Sequence, residues 1–472
     1  MSVQNTNKNI VPPSEIERQR EYTELVRTVL SSRFADVPKA FVHTYGCQGN
    51  VADGERLKGM LRDMGFAFTD SPDNADFVLY NTCAIREHAE DRVFGNVGKL
   101  KNIKSARRHM KIALCGCMTQ QERVAELIRT SYPFVDIVFG THVTHRLPEF
   151  VYRSYGTGKR VFETGESGGV IAEGVPLSRD SGFRAWVPVM YGCDNFCSYC
   201  VVPYVRGRER SREPGVILNE IRQAVGEGYK EINLLGQNVN SYNGGMNFPA
   251  LLREINSIDG DFTIRFMTSH PKDCTRELLD TMADCEKAAK HLHLPVQSGN
   301  NRVLGEMNRR YTREQYLELV SYAREKMPGL SITSDIIVGF PGETDTEFRD
   351  TLSLVEAARF TSLFMFIFSP REGTAAAKMP DETPHAEKVA RFQELERVQH
   401  EIALELAAGM AGKRLRVLCD SFGDGDIVTA KTEGNMAVRF KGTPDMPGTF
   451  QEVVIEPGDS WKLTAALDGC DK

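Results

Sequence analysis

Apolar positions along this chain come in short runs separated by amphipathic stretches, and the runs fall into three series. From residue 39, the runs Phe41–Tyr45, Phe77–Asn81, Ile112–Cys115 and Val135–Phe139 have the length of strands. The segments between them, roughly 54–64, 87–104 and 120–129, repeat at helical spacing. Strand, helix, strand repeated over 39–158 predicts an α/β domain with a parallel sheet and right-handed crossovers. The stretch 159–180 is rich in glycine, serine and charge and reads as a linker. A second alternating series fills 181–410. Its strands are expected at Trp186–Tyr191, Glu231–Leu235, Thr263–Thr268, His291–Pro295, Ser331–Val338 and Ser362–Phe368. Six such units are two short of a closed eight-fold barrel, and a charged helix follows at about 384–410. Beyond residue 410 the period changes. Arg414–Cys419, Ile427–Thr432, Ala437–Phe440, Thr449–Ile455 and Trp461–Ala466 are short, broken by Gly, Asp and Pro, and predict a small all-β barrel over 411–472. Residues 1–38 are polar, with Pro12-Pro13 and a weakly helical stretch from Glu15 to Leu30, and read as a tail or a packed-on helix.

Composition adds limits rather than identity. At 472 residues the chain is long enough for two or three domains, and its 41% hydrophobic and 26% charged content is that of a globular protein. A net charge of −6 confines any nucleic-acid surface to local patches. No apolar run approaches the ~20 residues of a membrane helix, and Met1 to Asn9 carries no apolar signal core. A cytoplasmic protein without membrane partners is the expectation. In that reducing setting, eleven cysteines read as metal or redox ligands and buried thiols, not as a disulfide frame. Cys274, Cys285, Cys419 and Cys470 are expected to be buried thiols.

Cys193, Cys197 and Cys200 stand in one tight run, Gly192-Cys193-Asp194-Asn195-Phe196-Cys197-Ser198-Tyr199-Cys200. A structural zinc site wants four closed ligands. Three thiolates suit a four-iron, four-sulfur cube with one iron left open. A second set, Cys47, Cys83 and Cys117, is scattered in sequence, yet each follows a predicted strand of the first series. The carboxyl ends of parallel strands share one edge, where ligands bind, so the three would converge on one metal centre. Cys115 lies within its strand and reads as core.

The 193–200 run, including Tyr199, resembles the signature of the radical S-adenosylmethionine (SAM) enzymes. Thr44-Tyr45-Gly46-Cys47-Gln48, Asn81-Thr82-Cys83-Ala84-Ile85-Arg86-Glu87 and Gly116-Cys117-Met118 resemble the three cysteine motifs of the methylthiotransferases. Gly49 and Gly54 depart from that family's usual methionine and serine. The resemblance spans residue 39 onward. It implies an amino-terminal domain with an auxiliary [4Fe-4S] cluster, a central partial radical-SAM barrel with its own [4Fe-4S] cluster, and a terminal barrel of the TRAM type. Within the family, Ile85–Ala89, Tyr204–Glu209, Thr268–Asp273, His293–Gly299 and Phe368–Thr374 resemble the branch that makes 2-methylthio-N6-isopentenyladenosine at tRNA position 37. Threonylcarbamoyl-adenosine in tRNA and a ribosomal-protein aspartate are the rival substrates.

By that resemblance, the cluster on Cys193, Cys197 and Cys200 binds SAM and generates the radical that takes hydrogen from C2 of the adenine. The cluster on Cys47, Cys83 and Cys117 carries the methylated sulfur. Asp335, Gly339 and Phe340, in a strand running into a glycine turn, resemble an adenine-contacting element, and Tyr199, Gln237 and Gln297 stand beside SAM or substrate. A flavodoxin or ferredoxin would donate electrons to a monomeric enzyme. Basic runs at Lys99–Lys111 and at Arg206, Arg208, Arg210 and Arg212 are candidates for phosphate contact. The terminal barrel holds eight Lys or Arg against ten Asp or Glu, so its RNA face would be one-sided, with Lys431, Arg439 and Lys441 as candidates. A reading from another class is a non-catalytic zinc-dependent RNA-binding protein. It needs a fourth ligand beside 193–200, and His270, His291 and His293 belong to other strands.

Overall fold

A computed structural model describes residues 10–84, 87–165, 169–458 and 460–468. Ile85 and Arg86 of the second cysteine motif, and Cys470, lie outside the described residues. The chain groups into two compact units, one of Met1–Asp180, Met190–Asp194 and Cys200–Arg212, the other of Ser181–Val189, Asn195–Tyr199 and Glu213–Lys472.

In the first unit a six-stranded sheet runs Ala67–Phe68, Lys39–Thr44, Phe77–Thr82, Lys111–Gly116, Ile137–Phe139, Val161–Glu163, every neighbour parallel. Helices cover both faces, and Phe77–Thr82 is therefore buried along its whole length. One face packs Val26, Leu30, Leu57, Leu61, Phe150 and Tyr155. The other packs Val93, Val97, Leu100, Val124 and Ile128. The helix Pro13–Arg33 belongs to this core through Val26 and Leu30, so the amino-terminal segment is a packed-on helix. Burying each such side chain contributes ~1.5–3 kcal/mol. Ala67–Phe68 and Val161–Glu163 are too short to stand out in the hydropathy pattern, and the second lies in the stretch read as linker.

The second unit carries six parallel strands whose spatial order follows the chain. Arg184–Pro188, Glu231–Leu235 and Thr263–Phe266 form one sheet; His291–His293, Ser331–Val338 and Ser362–Ile367 form the next. A parallel bridge from Ile264 to Ala288 links the two. The first and last strands do not pair, so the barrel is partial as expected. The Glu231 carboxylate lies between Arg184 and Arg265, at 2.5 and 2.8 Å, and Arg265 also donates to the carbonyls of Thr432 and Glu433 at 2.8 Å. Against the penalty of burial, these two guanidiniums pull the Glu231 carboxyl down to about 2.

Residues 414–467 close into a five-stranded barrel in the order Arg414–Gly423, Ile427–Thr432, Ala437–Lys441, Leu463–Leu467, Phe450–Ile455. Alternate residues of Ile427–Thr432 point inward, and Val417, Cys419, Val428, Val438, Phe440 and Val453 fill the interior. Cys274 and Cys285 are buried as well.

Candidate functional site

Three neighbouring strand ends of the first sheet deliver the scattered cysteines. Cys47 precedes the helix Gln48–Asp63, Cys83 follows Phe77–Thr82, and Cys117 follows Lys111–Gly116. The ends are laced together: Cys117 N donates to Thr82 O at 2.9 Å, Tyr45 N to Asn81 O at 2.8 Å, and Asn50 Nδ2 to Thr82 O at 3.0 Å. Cys117 directly follows Gly116, whose φ is +101°, and a Cβ there would lie 2.3 Å from Thr82 O. Gly46 does the same for Cys47, at φ +125° and 2.5 Å from the Cys83 Cβ. Only glycine meets both demands, so the chain turns tightly at both strand ends that flank Cys83. Cys83 and Cys117 are buried and Cys47 is exposed. Burial pushes the Cys117 thiol up to about 12; Arg206 opposes this, and the neighbouring Cys83 and Cys47 add to it.

The guanidinium touching this set is the feature that sequence reasoning missed. Arg206 is 6% exposed; its Nε donates to Cys117 Sγ at 3.0 Å, and its Nη2 lies 2.7 Å from Asp53 Oδ2. Read from sequence as a phosphate contact, Arg206 instead faces inward, and that assignment is corrected. Its neighbours follow suit: Arg210 is buried and donates to the carbonyls of Arg206 and Arg208, and Arg212 is buried against Glu173 at 2.7 Å. Arg208 alone of the four is largely exposed, paired with Asp194 at 2.6 Å. In the Lys99–Lys111 run, Lys104 and Lys111 pair with Asp136 and Arg107 with Asp76.

In the second triad, Cys193 and Cys200 are half-buried and Cys197 is buried. Gly192 before Cys193 has φ +79°, and Cys193 N donates to Gly207 O at 3.2 Å. Around Cys197, Ser198 N donates to Met307 O at 3.1 Å, Ala376 N to Ser198 O at 2.8 Å, and Asn308 Nδ2 to the carbonyl of Phe196 at 2.9 Å. A buried arginine stands here too: Arg309 Nη1 lies 3.5 Å from Cys197 Sγ, while its other nitrogens donate to Tyr311 Oη and Pro295 O. Tyr199 packs with Phe340, Phe368, Val303 and Met307.

The candidate SAM contacts cluster at the carboxyl ends of the partial barrel. Gln297 has φ +73° and extends the ladder, its N donating to Asp335 O at 2.8 Å and its O accepting from Ile337 N at 3.0 Å. Asp335 is half-buried, 3.6 Å from His293 Nε2. Gln237 is half-buried just past Glu231–Leu235. Gly339 N donates to the buried Glu343 carboxylate at 2.7 Å, and Phe340 is buried in the cluster with Tyr199. Buried polar atoms without partners gather in the adjoining loops: Asn238 Oδ1, Asn240 Nδ2, Ser269 Oγ and His270 Nε2. A buried polar atom left unpaired costs about 1–3 kcal/mol, so each of these atoms calls for a water or a ligand group as partner. No spacing rule would have found these atoms. Phe364 and Phe366, 48% and 43% exposed, lie on the strand beside Asp335, and the Phe364 ring meets His293 edge-on at 5.8 Å. On the terminal barrel Arg439 and Lys441 are exposed, whereas Lys431 is half-buried, with burial and the nearby Arg184 lowering its pKa.

Among the described residues, no three His, Cys, Asp or Glu side chains are grouped to hold a single metal ion.

Residues 187–355 match the family described as Radical SAM superfamily, and residues 39–140 match Uncharacterized protein family UPF0004. A protein named tRNA-2-methylthio-N(6)-dimethylallyladenosine synthase from Acetivibrio thermocellus is 44% identical over 470 residues, covering 98% of each chain. A namesake from Caldicellulosiruptor saccharolyticus is 47% identical, over 89% of this chain and 90% of its own. Among solved structures, the radical SAM methyltransferase TsrM from Kitasatospora setae matches with a TM-score of 0.54 at 17% identity, over 72% of this chain and 77% of its own. That likeness is one of fold.

Proposed function

The chain belongs to the family of tRNA-2-methylthio-N(6)-dimethylallyladenosine synthases, and from that premise we propose how its residues serve the addition of a methylthio group to C2 of N6-isopentenyladenosine at tRNA position 37. When bound, the two [4Fe-4S] clusters and SAM supply hydrogen-atom removal and the methylated sulfur, chemistry that no side chain provides. Cys193, Cys197 and Cys200 would hold one cluster and Cys47, Cys83 and Cys117 the other. The observation that carries this reading is the convergence of Cys47, Cys83 and Cys117 at three laced strand ends of one sheet.

The remaining residues bind, orient and exclude water. Val201, Val205 and Ala84 pack around Cys117 and keep water from it. Asn238, Asn240, Ser269 and His270 offer unpaired polar atoms to the hydroxyl and amino groups of SAM or the target nucleoside. Gln237, Gln297 and Asp335 stand at the same strand ends and would join them. Phe364 and Phe366 present an apolar surface suited to the five-carbon N6 substituent. The exposed Arg208, Arg439 and Lys441 would neutralise tRNA phosphates. A flavodoxin- or ferredoxin-type donor and a monomeric, cytoplasmic enzyme complete the proposal. Among the described residues no helix is long and apolar enough to cross a membrane.

The test is anaerobic reconstitution followed by iron and sulfide counts and nucleoside analysis of treated tRNA. About eight irons and eight sulfides per chain, with methylthio product formed only on isopentenylated tRNA, would support the proposal. About four irons, or product on threonylcarbamoyl-adenosine, would overturn it.

A further inference from the structure

Six residues past the last cysteine of the radical-SAM motif, the chain places a buried cation on a ligand of the other triad. Arg206 ends the short helix Val202–Arg206, and Gly207 follows at φ +77°. Val201 and Val205 of this segment pack on Cys117 and Ala84, and Thr141 Oγ1 donates to Val205 O at 2.5 Å. Arg210 Nη1 donates to Arg206 O at 3.1 Å. The segment is thus held, and the guanidinium at its end lies between Cys117, with Nε 3.0 Å from Sγ, and Asp53, an ion pair with Nη2 at 2.7 Å.

Thiolate ligation puts several negative charges into a site that Val201, Val205 and Ala84 shield from water on its Cys117 side. In such a site, hydrogen bonds to sulfur and net charge set both the reduction potential and the hold on the iron. Resting on the assignment of Cys47, Cys83 and Cys117 as cluster ligands, we propose that Arg206 is a positioning residue for the auxiliary cluster. It orients Cys117 through the N–H···S bond, makes the bound cluster easier to reduce, and slows its loss. Asp53 orients Arg206 in turn. The basic run after Cys200 therefore serves the auxiliary site in part, and not RNA alone.

The test uses the full chain with Cys193, Cys197 and Cys200 replaced by Ala, reconstituted so that only the auxiliary cluster is present. Arg206→Met, Arg206→Lys and Asp53→Asn are added singly. The readouts are iron and sulfide content, the midpoint potential from an EPR-monitored titration, and the rate of iron loss to a chelator. Arg206→Met is expected to shift the potential to more negative values and speed iron loss about tenfold or more. Arg206→Lys, which keeps the charge without the planar fork, should fall between Arg206→Met and the parent. Should the Met variant fail to fold, Lys and Asn variants with native circular dichroism carry the test. Full iron content with unchanged potential and unchanged chelator loss in every folded variant would overturn the proposal. A parent that takes up no iron would instead overturn the auxiliary-cluster assignment beneath it.

Discussion

The two cysteine triads reach similar ends by opposite means. One is local: Cys193, Cys197 and Cys200 are held within eight residues of chain, so covalent geometry keeps them near one another before any folding. The other is dispersed: Cys47, Cys83 and Cys117 meet only because three strands lie side by side, with Lys39–Thr44 and Lys111–Gly116 flanking Phe77–Thr82. Each triad has a buried arginine directed at one sulfur, at 3.0 Å from Arg206 and 3.5 Å from Arg309. The dispersed site has the closer contact, and it joins two buried cysteines to the exposed Cys47, whereas the local one has a single buried cysteine between two half-buried ones. A site assembled from distant segments depends on sheet register and backbone turns, whereas a local one depends mainly on the loop that carries it.

The largest effect should come from the cysteines themselves. Cys83→Ala is expected to abolish methylthio product while SAM cleavage persists, and Cys197→Ala to abolish both, read by chromatography of modified nucleosides and of 5′-deoxyadenosine. Equal loss of both activities in Cys83→Ala would erase the distinction between the sites. Next, Gly116→Ala forces a Cβ to 2.3 Å from Thr82 O at positive φ, a strain of ~1–3 kcal/mol. It should remove about half of the iron while leaving SAM cleavage intact. Retention of all the iron would mean that the dispersed site tolerates a shifted strand end.

The barrel can be perturbed without touching either triad. Glu231→Gln leaves Arg184 and Arg265 without their shared carboxylate and should destabilise the second unit by ~3 kcal/mol. The Glu231 pKa is depressed from 4.5 to about 2, so its contribution is fully present above about 4.5 and is lost as pH falls toward 2. Melting curves of wild type and variant should therefore converge in acid; a constant gap down to pH 2 would refute the ion-pair account. The smallest effect is expected for Arg208→Ala and Arg439→Ala, each lowering the salt dependence of tRNA binding by ~1 in log–log slope with iron content unchanged. No change in slope would remove these two from the RNA face.

Much of the architecture was legible because it rests on periodicity. The alternating runs located most of the parallel strands and the terminal barrel, and missed Ala67–Phe68 and Val161–Glu163, which are two and three residues long and stand in no longer apolar run. The basic run after Cys200 shows the limit more sharply. Arg206, Arg208, Arg210 and Arg212 look alike in sequence, yet three are buried, each in a different environment, and one faces solvent. Charge spacing records where cations are, not which way they point. Arg309, Asn238 and Asn240 carried no signal at all, since the Arg309 contact with Cys197 joins segments far apart in the chain.

The local triad, the glycines beside the cysteines, the shared sheet edge of Cys47, Cys83 and Cys117, and the order of sheet, partial barrel and closed barrel were all readable along the chain. These follow from covalent spacing, backbone freedom and hydrophobic period, which act within a few residues. Packing between distant segments was needed to show that Arg206 turns inward to Cys117 and Asp53, and which cations remain outside. Those outcomes depend on strand order and on burial. A charge removed from water must find a partner, and which partner is near is settled by packing between segments far apart in the chain.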